Sequence, residues 1–130
     1  MHKEIVRQWY EQMWNQWDES VFDEILDPEV KLRGSLGPDH HGHAGVSAYM
    51  RLVRAAFPDF QNRIIEMVEE GNKVFARLAY TGTHRGTLFG IPASGRTIEY
   101  SGAALFRFER GRIVDVWVLG DVDGPKRQIL

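Results

Sequence analysis

A carboxylate, an imidazole and a phenol stand near the ends of three alternating segments of this chain: Asp121, His84 and Tyr100. Such a trio suits proton transfer at a carbon beside a carbonyl. An Asp partly desolvated among aromatic rings has its pKa raised and exchanges protons near neutral pH. His84 or Tyr100 then donates a hydrogen bond to the carbonyl oxygen as negative charge develops on it. The stretch Arg112 to Asp121, RIVDVWVLGD, decides whether the three meet. Its alternation puts Ile113, Asp115, Trp117, Leu119 and Asp121 on one face of a strand. Thr97 to Glu109 is a second strand, joined to it through the polar turn Glu109-Arg110-Gly111-Arg112 as an antiparallel hairpin. With Glu109 paired to Arg112, Asp121 falls opposite Tyr100, Leu119 opposite Gly102 and Trp117 opposite Ala104. The expectation is an acid/base Asp121 in a mostly apolar pocket, with Trp117 and Leu119 among its walls.

Other chemistry-bearing residues fill in that picture. Arg77 sits within an otherwise apolar strand, Val74 to His84, either as a salt-bridged structural residue or as an anion-binding substrate contact. The loop Arg85 to Gly95 carries Leu88, Phe89, Ile91 and Pro92, an oily set that suits folding over a pocket, with Phe89 as a wall. His40, His41 and His43 invite a zinc or iron site. No HExxH spacing and no cysteine completes that set, so they are expected at a surface or a pocket rim and no metal is assigned.

The elements that must position these groups follow from periodicity. Ile5, Val6, Trp9, Tyr10, Met13, Trp14 and Trp17 recur at helical spacing; the tryptophans are expected to pack on a sheet, with Trp14 reaching the pocket. Ser20 caps a short helix over Val21 to Leu26, which Asp27-Pro28 ends, and a brief strand, Val30 to Arg33, follows. Gly34 to Gly45 reads as a loop with a short strand at its His40-His41 end. Val46, Tyr49, Met50, Val53 and Phe57 form a third helix, stopped by Pro58. Then come four antiparallel strands in a meander, over Phe60 to Val68, Val74 to His84, Thr97 to Glu109 and Arg112 to Asp121. Three helices cannot cover both faces of so long a sheet, so the sheet should curl around them as an α+β cone whose mouth is the cavity. Ala103, Leu105, Val114, Val116 and Val118 are too apolar for a wet outer face, which points to a homodimer packed through the sheets.

Composition bounds the rest. One domain, residues 1–130, fits a chain of 130 residues that is 43% hydrophobic and 12% aromatic. Eighteen acidic and 16 basic residues give a net charge of -2 with no basic stripe, which argues against nucleic acid. Cysteine is absent, no run has membrane-spanning length, and the amino terminus has no signal-peptide core, so a soluble cytoplasmic protein is expected.

Three stretches carry a family resemblance: Ala55-Ala56-Phe57-Pro58-Asp59, Thr81 to Gly86 followed by Phe89-Gly90-Ile91-Pro92 and Gly95, and Gly111 to Trp117 with Asp121 four residues on. Over nearly its whole length the chain resembles the SnoaL-like polyketide cyclases of the nuclear transport factor 2-like superfamily. The resemblance implies a dimeric α+β cone without metal or organic cofactor, an acid/base Asp at Asp121 promoting intramolecular aldol closure of a polyketide, and His84 at or near the pocket. Gly120 stands where the family commonly has a hydrophobic or aromatic residue, and Pro92-Ala93-Ser94-Gly95 replaces a Pro-Thr-Gly turn. The same cone serves isomerases, hydrolases and binding proteins. Epoxide hydrolysis, with Arg77 and Asp115 near Asp121, ketosteroid-type isomerisation, and a non-catalytic small-molecule-binding dimer are the alternatives.

Overall fold

The computed structural model describes residues 1–36 and 38–130. Val6, Trp9, Tyr10, Met13 and Trp14 are all buried, so the N-terminal helix forms along one apolar stripe. It begins as α1 (His2–Arg7) and winds more loosely over Gln8–Trp14. There the Asn15 amide bonds to the Tyr10 carbonyl at 2.8 Å and the Asp18 amide to the Met13 carbonyl at 3.1 Å. Hydrogen bonds of this five-residue span are a π-type widening, a feature frequent at functional sites. A short turn, Glu19–Val21, leads into α2 (Phe22–Ile25), β1 (Leu26–Arg33), β2 (Asp39–His41) and α3 (Gly42–Ala56). The meander β3 (Gln61–Glu70), β4 (Lys73–Thr83), β5 (Thr97–Glu109) and β6 (Arg112–Gly120) follows, and α4 (Asp123–Ile129) ends the chain.

Among the described residues, six strands form one unclosed sheet in the order β2-β1-β6-β5-β4-β3. The meander is antiparallel as expected. By contrast, β1 joins β6 in parallel, and the residues after β6 form the helix α4. The expected Gly34 to Gly45 loop includes Gly37, which lies outside the described residues. Its second half is β2 and the start of α3. The inner face presents Val74, Ala76, Leu78 and Tyr80 from β4 and Ile98, Tyr100, Ala104, Phe106 and Phe108 from β5, all buried. Helix and sheet meet ring to ring: Trp9 and Tyr10 each sit edge-on to Phe106 at 5.8 Å.

One irregularity decides what faces the interior. The β5–β6 hairpin starts as the sequence suggests, Glu109 opposite Arg112 and Phe108 opposite Ile113. Asp115 then pairs with Arg107, leaving Val114 unpaired. A bulge of one residue moves every later side chain to the other face. Gly102 therefore opposes Gly120, Ala103 opposes Leu119, and Leu105 opposes Trp117. Val116 is buried, and Val118 packs against the core. Trp117 and Leu119 stay 44% and 54% exposed, and Asp121 is exposed too. The expected inward placement of Trp117, Leu119 and Asp121 is thus corrected. So is the expected outer placement of Val116 and Val118.

Candidate functional site

The hollow inside the curled sheet is built by phenols. Tyr10 comes from the widened helix, Tyr49 from α3, Tyr80 from β4 and Tyr100 from β5; all four line it. Trp9, Trp14, Leu32, Leu36, Val53, Phe60 and Val118 supply apolar wall, and Ser35 and Asn62 the remaining polar groups. No charged side chain lines it among the described residues. Its free volume is about 30 Å³, room for a water or two.

Close packing fixes the rings. Tyr80 lies against Tyr100 with ring centres 4.9 Å apart and is stacked on Phe60 at 5.7 Å on its other side. The Tyr80 ring occupies the space a side chain at Gly102 would take, so the glycine is what lets it lie flat on the sheet. Ser35 lies beside the phenols of Tyr49 and Tyr100 and slightly eases the ionisation of both. Burial drives the pKa of Tyr10, Tyr80 and Tyr100 well above the ordinary phenol value, and repulsion among neighbouring phenols adds to it. Burial also raises Tyr49, partly offset by the neighbouring polar groups of Ser35 and Leu36 and by the Arg33 charge. At neutral pH the hollow therefore holds neutral hydroxyls, which are good donors and poor bases.

The expected site residues divide. Tyr100 and Trp14 line the hollow. His84 does not converge with Tyr100: its amide pairs with the Arg96 carbonyl at 2.9 Å, whereas Tyr100 sits opposite Tyr80, four positions along β4 and about 13 Å away. The His84 ring is fully buried, and its Nδ1 accepts the Ser94 amide at 3.1 Å, with the Ser94 hydroxyl 2.9 Å away. That pattern places the ring hydrogen on Nε2, which is buried without a partner. Histidine 84 thus anchors the loop that follows it.

Asp121 faces solvent, and its carboxylate accepts the Gly124 amide at 3.1 Å in the first turn of α4. Trp117 and Leu119 lie on the convex face, where the Arg33 guanidinium stands 5.2 Å from the Trp117 ring centre. Arg77 is exposed on that face and paired with Glu66 at 3.0 Å, because Ala76 and Leu78 on either side of it take the inner positions. Phe89 is not in the wall. It occupies a tight turn at φ 53° beside Gly90, closed by Leu88 and Ile91, with the Lys126 ammonium 4.7 Å from its ring centre. Neither Arg77 nor Asp115 lines the hollow, so the arrangement that epoxide hydrolysis called for is not assembled there.

Among the described residues no group of His, Cys, Asp or Glu is arranged to hold a metal ion. His41 pairs with Glu29, His43 lies near Asp23, and His40 packs its ring on Tyr49. Sequence reasoning missed Tyr10, Tyr49, Tyr80 and Asn62. The available signal was that tyrosine, not phenylalanine, recurs at inward positions of four separate elements.

Comparison with known proteins bears on this geometry. Residues 4–129 match the family described as SnoaL-like polyketide cyclase. The aklanonic acid methyl ester cyclase DnrD of Streptomyces peucetius is 32% identical over 109 residues, covering 82% of this chain and 75% of that protein. TsrD from Streptomyces laurentii superposes with a TM-score of 0.84 at 28% identity, covering 98% of this chain and 92% of its own. A SnoaL-like polyketide cyclase from Agrobacterium tumefaciens has a TM-score of 0.82 at 21% identity, over 100% of this chain and 98% of its own, a likeness of fold.

Proposed function

We propose, from the premise that the chain belongs to the SnoaL-like polyketide cyclase family, that it cyclises or isomerises an apolar carbonyl compound without a cofactor in the phenol-lined hollow. The observation that carries this is the meeting of four neutral phenols around a hollow with no charged lining among the described residues. As a proton leaves the carbon beside a carbonyl, charge moves onto oxygen. Phenols already aimed at that oxygen stabilise it more strongly there than water does.

The proton acceptor is assigned to Asp121. It follows Gly120, whose bare backbone packs on Ser35 and Tyr100, so the carboxylate stands one residue from the wall. To act, it leaves the Gly124 amide and turns toward the rim; catalytic hydrogen bonds commonly tighten only in the complex. The enolate carbon then attacks a second carbonyl of the same molecule. The new alkoxide takes the proton back from Asp121, so no external reagent is consumed. A polycyclic substrate needs roughly 300 Å³ or more, and it enters by spreading the rings that now fill the hollow. The enzyme works as a dimer joined through the convex sheet face, and the absence of cysteine suits the cytoplasm.

The second reading is a binding module, favoured by the solvent-facing Asp121 and the small free volume. Offering aklanonic acid methyl ester and a simple 1,5-diketone to the wild type, Asp121→Asn and Tyr100→Phe separates the two. Turnover that falls at least about 100-fold in both variants supports the enzyme. Unchanged turnover in Asp121→Asn removes the proton shuttle, and binding without turnover in the wild type leaves the module.

A further inference from the structure

We propose that Tyr10 is the group that selects an oxygen acceptor on the ligand, donating its hydroxyl hydrogen to a ketone oxygen at the helix side of the hollow. The proposal rests on the hollow being the substrate site and names what that site reads. The Tyr10 side chain is 2% exposed, lines the hollow, and its hydroxyl is buried without a hydrogen-bond partner. Buried hydroxyls are nearly always paired, so a free one on a residue that lines a cavity needs an explanation. The Trp9 indole comes near the oxygen, but indole nitrogen is only a donor, so the phenolic hydrogen stays free in either case. Tyr49 and Tyr80 lie close enough to interact electrostatically, yet neither bonds to it.

The surroundings hold that hydroxyl still. Phe106 fixes the ring edge-on at 5.8 Å, and the Tyr10 carbonyl receives the Asn15 amide that defines the widened turn. Phenylalanine would fill the same space in a dry core without leaving a donor unpaired. Tyrosine is therefore what a ligand-directed position calls for, and the aromatic walls of Trp9 and Trp14 suit a flat, conjugated ketone.

The test compares wild type and Tyr10→Phe binding to 1-indanone and to indane, which share a shape and differ in the carbonyl. Tryptophan fluorescence reads binding, and a thermal melt reads stability. The expected result is indanone binding about 10-fold weaker in Tyr10→Phe, indane binding unchanged, and a melting temperature no lower than wild type. Equal effects on both probes, as a hydroxyl serving only a water gives, overturn the proposal. So does a lower melting temperature, or a wild type that binds no indanone. Turnover plays no part in this measurement. A protein that reads indanone through Tyr10 but cyclises nothing refutes the enzyme and keeps the selector; a cyclase indifferent to Tyr10→Phe does the reverse.

Discussion

A phenol buried beside other phenols is defined by its proton. Tyr80 and Tyr100 keep theirs well past the pH at which an exposed tyrosine ionises, chiefly because burial penalises the charge. Two consequences are measurable. Tyr80→Phe should lower kcat about 100-fold with KM little changed if its hydroxyl meets the developing oxyanion. The second concerns alkali. The unfolded chain ionises these phenols near their ordinary value of 10.0, and the folded chain only later, so the unfolded state holds fewer protons above about pH 10. Stability is full below that pH and falls as pH rises through the folded values. Melts between pH 8 and 11.5 should show that fall, and Tyr80→Phe should lessen it. These tyrosines were hidden in the sequence because each sits on a stripe that reads equally well as plain core. Only their repetition, where Phe would pack as well, distinguishes them.

At the scale of elements, alternation and turn chemistry were legible and the bulge was not. Glu109-Arg110-Gly111-Arg112 places the hairpin, and the strand limits of β5 match the alternating run from Thr97 to Glu109. Nothing in RIVDVWVLGD marks Val114 as the residue to be left out, since both faces of that run are apolar. Which face turns inward is decided by packing: the slots under β5 accept Val116 and Val118 beside Phe106 and Ala104, whereas the larger Trp117 goes outside. A second tie was equally silent. The Asp59 carboxylate, just past α3, accepts both the amide and the hydroxyl of Thr83 at 2.7 Å, which holds the end of β4 to the helix. The Thr83 amide and hydroxyl bonds lower the Asp59 pKa below its usual 3.8. Its contribution is therefore complete above about pH 4 and is lost as pH falls through the depressed value. Asp59→Ala should cost about 1 kcal/mol at pH 7, and the gap between the two proteins should close in acid melts below pH 4.

For the whole molecule, the same bulge that empties the hollow of carboxylate loads the outside with apolar surface. Val68, Phe75, Leu105 and Trp117 are register partners in succession across β3, β4, β5 and β6, and all four are exposed. Leu119 extends the row toward the end of β6. A continuous band of this kind is unusual on a monomer, and a two-fold axis through the sheet lets one band cover its copy without any further partner. Sedimentation of the wild type should give a dimer at micromolar concentration, and Leu105→Glu a monomer with an unchanged far-ultraviolet spectrum. The Trp117 ring separates this from a core effect. Were it buried in the chain's own interior, Trp117→Ala would cost about 3 to 5 kcal/mol wherever it was measured. Exposed as it is, with Arg33 over its face, the same substitution should barely move the melting temperature of the Leu105→Glu monomer while weakening the dimer of the otherwise wild-type chain. A wild type that stays monomeric under those conditions removes the dimer, and a large loss of stability in the monomeric background returns Trp117 to the core.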